Sequence, residues 1–435
     1  MTAELGPATG ALQPAAASSA ALPYADRLAR AALTRVAEPG HEDLRRYVGA
    51  HGAVAVWEAL RRESWPDGAP APDDLLARVG STQPERDLAA LGRCDGRLLC
   101  PGDPEWPESL SDLDHTDLGS PLALWVRGPA DLRLATLRAA AVVGSRAATG
   151  YGAHMAGELG ADLAERGCTV VSGGAYGIDA AAHRGALAAG GTTVVVLACG
   201  VDVPYPRGHE TLFARIADEG LLASEWPPGC APMRQRFLVR NRVIAAATAG
   251  TVVVEAAARS GALSTARHAS NLGRAVMAVP GPVTSAMSTG CHALLREPDT
   301  TLVTSAAEVL DRIGRIGADL APAVVGPVLP RDGLGPETRR VLEAVPARRG
   351  AGPARISVAA GVAPRVVQRS LGALRLAGFV ELTDTGWRLT PAARAEGAGG
   401  AGAARAGGAG GAPRAVVLDG RDANAQRSPR AQGSR

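Results

Sequence analysis

Thr169-Val170-Val171, then Ser172-Gly173-Gly174-Ala175-Tyr176-Gly177-Ile178-Asp179, decides the fold. A β-branched run gives way to glycines and then to a helical stretch, Gly177–Ala189. This is a buried strand turning into a helix. The same order stands upstream. Ala139–Val143 runs into Gly144-Ser145-Arg146, then Thr149-Gly150-Tyr151-Gly152 and a helical stretch, Tyr151–Arg166. Further short apolar runs follow at Thr192–Leu197, Leu221–Ala223, Thr251–Val254, Ala275–Val279 and Thr301–Val303. Apolar strands alternating with helices predict an α/β, doubly wound parallel sheet with helices on both faces. Ligands of such sheets bind beyond the carboxyl ends of the strands.

Both glycine loops sit where a backbone can come close to a ligand and a helix N-terminus favours an anion. A phosphate suits such a place, and Arg146 could add a charge-assisted bond. The glycines could equally serve the tight turns of any α/β fold. Neither loop is GxGxxG with an acid downstream, and neither is GxxxxGK[ST], so dinucleotide binding and P-loop hydrolysis are not supported. A third loop, Gly200 to Arg207, carries Tyr205, which could stack on a base or pack beside its two prolines. Met233–Val243 reads M-R-Q-R-F-L-V-R-N-R-V, with Arg234, Arg236, Arg240 and Arg242, no acid, and Phe237. Cations that track phosphates beside a ring that stacks on bases suit an unpaired strand. A solvated helix start with Phe237 in the core is the plainer alternative. Arg236 and Arg240, four apart, would share a helix face, with Phe237 and Asn241 on the next stripe. Glu255, after the Thr251–Val254 strand, is the one candidate acid/base. No His, Cys or second carboxylate stands at a convincing catalytic spacing to it.

Of the 435 residues 46% are hydrophobic but only 3% aromatic, so the core must be built of Ala, Val and Leu. Every basic side chain is Arg, whose planar fork suits phosphates and base faces. The net charge of +3 hides an asymmetry. Residues 1–138 carry 14 arginines against 20 acids, and residues 139–330 carry 15 against 15. Residues 331–391 carry 10 against 5, and residues 392–435 carry 7 against 3. Basic charge therefore collects at the C-terminal end, which leans towards a polyanionic partner. The six cysteines form no CxxC pair, so neither metal nor cofactor is expected. No apolar run reaches membrane-spanning length and no leader pattern opens the chain, so the expectation is a cytoplasmic protein without a membrane partner.

Residues 1–20 read as disordered and residues 21–90 as a small helical domain, with Pro39-Gly40 between its first two helices and a third after Pro66–Asp74. The α/β domain is expected over 91–313, a Gly/Pro/Ala-rich linker over 314–336, and a second unit over 337–391. That unit reads as a helix over Glu337–Val345, a helix-turn-helix ending in Arg365–Ala377, and a hairpin over Gly378–Leu389, the pattern of a winged helix. Its Arg365, Arg369 and Arg375 could meet a DNA backbone, or the unit could contact protein. The Gly/Ala/Arg tail, 392–435, reads as disordered.

Together these segments resemble the DNA-processing A (DprA/Smf) family. The resemblance runs, in order, through Gly144-Ser145-Arg146, Thr149-Gly150-Tyr151-Gly152, Ser172 to Asp179, Gly200 to Pro206, Ser224-Glu225, Phe237 with Arg240-Asn241-Arg242, Val254-Glu255 to Ser260-Gly261, and Val279-Pro280-Gly281. Upstream, Asp103 to Pro107 and Leu124 to Gly128 resemble the family's lead-in to its sheet. The resemblance implies an extended Rossmann-like fold with a SAM-like N-terminal domain and a C-terminal winged helix. It further implies a homodimer that binds single-stranded DNA, protects it, and loads the recombinase RecA during natural transformation, without catalysis. Arg146 and Arg240 would contact phosphates, Phe237 would stack on a base, and Gly144, Ser145, Ser172, Gly173 and Gly177 would offer close backbone contacts. Tyr151, Gly174, Tyr176, Asp179, Tyr205, Arg207, Arg236, Asn241, Arg242, Ser260 and Gly261 complete the candidate DNA-binding set. Two segments depart from the family pattern, Pro39-Gly40-His41 and Arg296-Glu297-Pro298.

Two other functions compete. A phosphoribohydrolase would carry Pro-Gly-Gly-x-Gly-Thr-x-x-Glu. Here Ala246 to Glu255 lacks the glycine pair and has one extra residue before the acid. A transcription regulator would rely on the winged helix alone.

Overall fold

The computed structural model describes residues 22–314, 319–322 and 330–399, which fall into two compact units divided after Ala323. The first is built on nine strands: β1 Gly96–Leu99, β2 Leu124–Arg127, β3 Ala139–Val143, β4 Thr169–Ser172, β5 Thr193–Leu197, β6 Leu221–Ser224, β7 Gly250–Val253, β8 Ala275–Ala278 and β9 Thr300–Leu302. Their order in the sheet is β1-β2-β6-β5-β4-β3-β7-β8-β9. The seven strands from β6 to β9 in that order run parallel. They are the seven read from the sequence. At one edge the structure adds β1 and β2, each paired antiparallel, which the sequence reading did not assign.

Alternate residues of the buried strands supply opposite faces, as strand geometry requires. Ala139, Ala141, Val143, Val194 and Val196 pack under the helices Arg234–Ala246 and Ala262–Asn271. Ala140, Val142 and Val170 pack under Gly150–Glu165 and Ile178–Ala188, and Val195 and Leu197 under Glu210–Glu219. Fully burying each valine or leucine is worth ~1.5–3 kcal/mol.

The N-terminal helices belong to this same unit. They are Tyr24–Val36, Glu42–His51, Ala53–Leu60, Asp73–Val79 and Pro84–Gly92. The second expected helix is broken in two at Gly52, which has φ +81°. Pro84–Gly92 was not foreseen. The Trp125 indole on β2 donates to Thr34 Oγ1 at 3.2 Å, and Arg27 makes a two-pronged contact with Asp103 at 2.8 and 3.0 Å. These contacts, the first of them buried, fasten the first helix to the sheet edge.

The second unit holds the helices Pro336–Ala344, Pro353–Ala360 and Pro364–Leu376, then a hairpin of β10 Val380–Thr383 and β11 Gly386–Leu389. Its core gathers Val341, Ile356, Val367, Leu371, Leu374 and Phe379. The helix Pro391–Gly399 runs into the stretch read as disordered tail. The expectations for residues 1–20, for residues 315–318 and 323–329 of the linker, and for the tail beyond 399 lie outside the described residues. Among the described residues no helix is long and apolar enough to cross a membrane.

Candidate nucleic-acid interface

The parallel strands all end at one rim. From β3 the chain steps outward through β4, β5 and β6, and β7 returns to the other flank of β3. The switch point of the sheet therefore lies between the loops after β3 and β7, where open α/β sheets take their ligands.

That crevice is filled from within. Glu255 is 1% exposed. Its carboxylate accepts from Thr149 N at 2.9 Å and Thr149 Oγ1 at 2.6 Å. Thr149 Oγ1 in turn caps the helix Gly150–Glu165 by accepting from Gly152 N at 3.1 Å. Gly152 leaves room for the carboxylate, because a Cβ there would collide with it. The anion seat expected at this helix start thus holds the protein's own anion. The candidate acid/base is spent on this contact.

The second glycine loop interlocks with the first. Gly177 has φ +77°, and a Cβ there would strike Ser145 O and Arg146 O. Ile178 N donates to Ser145 O at 3.2 Å, and Ser145 N donates to Glu255 O at 2.7 Å. Gly144 sits against Ile178, and Gly174 has φ +69° beside Phe213 and Val195. Ser172 is buried and donates to Val142 O at 2.6 Å. Asp179 is buried and accepts from Ala175 N at 3.3 Å. Burial pushes its carboxyl above the usual range, opposed by Arg240.

The arginine cluster divides. Arg146 is exposed, and its guanidinium carbon lies 4.7 Å from the centre of the half-buried Phe237 ring. Tyr205 tilts against the same ring at 5.6 Å and 49°. Arg207 is exposed on the Tyr205 loop. Tyr176, 49% exposed, stands edge-on to the buried His209 at 4.6 Å, and His209 meets Phe213 the same way. These groups form an open rim of rings and cations.

Of the Arg234–Arg242 run, Arg236, Arg240 and Arg242 are engaged by the protein itself, which corrects the expected phosphate track, and Arg234 stays exposed. Arg242, 1% exposed, pairs through both prongs with buried Glu225 at 2.6 and 2.8 Å and donates to Gly119 O at 3.0 Å. Arg236 is held by Glu38 at 2.5 and 3.0 Å and lies over Trp226 at 5.4 Å. It does not share a task with Arg240. Arg240, 4% exposed, donates to Gly173 O at 2.9 Å and to Val196 O, tying together the ends of β4 and β5. Burial pushes its pKa down to about 10, with Asp179 opposing. A Cβ on Gly173 would overlap this guanidinium. Asn241 is buried and donates to Gly261 O at 3.3 Å.

At the far side of the switch point, Tyr151 donates to Pro280 O at 2.7 Å, and Ser260 Oγ accepts from Ala262 N at 3.3 Å beside exposed Gly261. Glu38, Trp226 and Met287, which lies 3.5 Å from Ser145 Oγ, were missed in the sequence. Nothing local to them marks a site. Among the described residues no group of His, Cys, Asp and Glu could hold a metal.

A family model described as DNA recombination-mediator protein A matches residues 97–314. A DNA processing protein DprA of Mycobacterium tuberculosis is 46% identical over 374 residues, 84% of this chain and 95% of that relative. DprA of Streptococcus pneumoniae is 40% identical over 205 residues, 47% of this chain and 70% of its own length. The X-ray structure of Streptococcus pneumoniae DprA superposes with a TM-score of 0.56 at 30% identity, covering 67% of this chain and 98% of that one.

Proposed function

We propose that this chain, which belongs to the DNA recombination-mediator protein A (DprA/Smf) family, grips single-stranded DNA at the carboxyl rim of its sheet and passes it to RecA. The observation that carries the reading is the Arg146–Phe237–Tyr205 cluster. On binding, Arg146 moves from the ring to a phosphate, and the vacated face of Phe237 takes a base. Arg207 and Tyr176 extend the track along the rim. Glycines 144, 173, 174 and 177 let Ser145, Ser172 and the neighbouring loops pack tightly beneath it. Arg240 supports the loops from below, and Arg236 and Arg242 support them from the side, rather than touching phosphate. The activity is binding and handover, without catalysis, in the cytoplasm of a cell that takes up DNA. The working form is a homodimer. The second unit acts as a winged helix, and Arg365 and Arg375, both exposed, offer it a surface for DNA backbone or protein.

Fluorescence anisotropy with a short labelled oligothymidylate tests the reading. Phe237→Ala should cost ~1–3 kcal/mol of binding, from a stacked base lost. Arg146→Ala should weaken binding and make its log–log salt dependence shallower by ~0.7. Unchanged affinity in both variants would refute the site. RecA nucleation on single strands should be faster with the wild type than with Phe237→Ala.

A further inference from the structure

The helix that presents Phe237 begins badly by its own means. Its opening residues, Arg234-Gln235-Arg236-Phe237, include two cations and no acid, against the favoured polarity of a helix N-terminus. Met233 stands at the N-cap, where Ser, Thr, Asp or Asn would cap, and gives no side-chain cap bond. The compensation comes from the N-terminal helical segment. Glu38 accepts from Arg236 Nη2 at 2.5 Å and Arg236 Nε at 3.0 Å, and from the Trp226 indole at 2.9 Å. Burial works to raise the Glu38 pKa, yet these donors outweigh it and hold the carboxyl below its ordinary range. One turn earlier, Arg35 donates to Pro228 O at 2.8 Å and to Cys230 Sγ at 3.4 Å while anchored on Asp87 at 2.7 and 2.8 Å. The loop from Trp226 to Arg236 is thus gripped at four points by residues some two hundred positions away.

We propose that Glu38 is a positioning residue for single-strand binding: by holding Arg236 and Trp226 it fixes the first helical turn, and so fixes the Phe237 ring against Arg146 and Tyr205. The proposal rests on the single-strand reading above, and gives the N-terminal helices a part in it without a DNA contact of their own. Glu38 supplies from outside the negative charge that the helix start lacks.

The test uses the full chain with Glu38→Ala and Glu38→Gln. Glu38→Gln keeps an acceptor for the Trp226 indole and for one prong of Arg236. Two measurements are made: oligothymidylate anisotropy across a salt series, and hydrogen exchange of the DNA-free protein over residues 234–240. Glu38→Ala should bind about five- to tenfold more weakly, the size of a lost helix cap. Its salt slope should stay unchanged, and exchange should be faster over residues 234–240. Glu38→Gln should recover most of the affinity. Binding by Glu38→Ala as tight as wild type overturns the proposal. So does tighter binding with a steeper salt slope, which would make Glu38 a competitor of phosphate for Arg236. If the wild type does not bind the oligothymidylate, the single-strand reading fails. The exchange data then judge the brace separately, and unchanged exchange in Glu38→Ala removes it.

Discussion

Replacing Arg242 by Ala should damage the fold, whereas replacing Arg146 should damage binding, although both arginines belong to the same proposed site region. Arg242 is buried and spends its guanidinium on four acceptors: both oxygens of Glu225, the Gly119 carbonyl and the Val239 carbonyl at 3.2 Å. Removing it strands a carboxylate that is itself only 4% exposed. Breaking a buried pair from one side costs ~3–5 kcal/mol. In a domain of this size that lowers the melting temperature on the order of 5–10 °C. Arg146 is exposed and gives up a cation–π contact worth ~0.5–1 kcal/mol. Thermal unfolding followed by circular dichroism, paired with oligothymidylate anisotropy at a temperature where both variants are folded, separates the two. A double variant, Arg242→Ala with Glu225→Ala, should lose less stability than the two single losses added, because the stranded charge is gone. An Arg242→Ala variant that melts like the wild type while losing DNA affinity would instead place Arg242 on the DNA.

Two further outcomes follow from buried groups. Gly177→Ala forces a side chain into a positive-φ backbone and against Ser145 O and Arg146 O, so it should lose ~1–3 kcal/mol or more of stability. A variant with wild-type denaturant midpoint would contradict the interlocked loops. His183 is fully buried, with Nδ1 on Thr193 Oγ1 at 2.7 Å, and burial pushes its pKa down to about 3. Between that value and the ordinary one the unfolded chain binds a proton that the folded chain does not. Stability should therefore fall as pH drops below ~6.5, by at most ~1.4 kcal/mol per pH unit from this group. His183→Asn should flatten that part of the stability–pH curve, and superimposable curves would dismiss the assignment.

Much of the sheet could be read locally. β-Branched runs such as Thr193–Leu197 and the glycine turns after β3 and β4 carry their structure in adjacent residues. The antiparallel edge could not, since Gly-Arg-Leu-Leu of β1 is short and has no strict alternation, and its partner β2 is chosen by tertiary packing. The arginine cluster shows the same limit in the site. Arg236, Arg240 and Arg242 look alike in sequence. Their destinies are set by Glu38, Gly173 and Glu225, which lie 198, 67 and 17 positions away. A charge run reports how many cations there are and is silent on which of them already have partners. Phe237 could be picked because a ring among cations is scarce in a chain with so few aromatics, and Arg146 because it follows a glycine turn at a strand end.

The carboxylate lodged between β3 and β7 has a consequence for selectivity. Free nucleoside phosphates look for the mouth that this kind of sheet usually keeps open, and here they would meet a like charge already bonded to Thr149. A polymer laid across the outer rim needs none of that space. If the outer rim is where DNA binds, mononucleotides should compete poorly with the polymer for it.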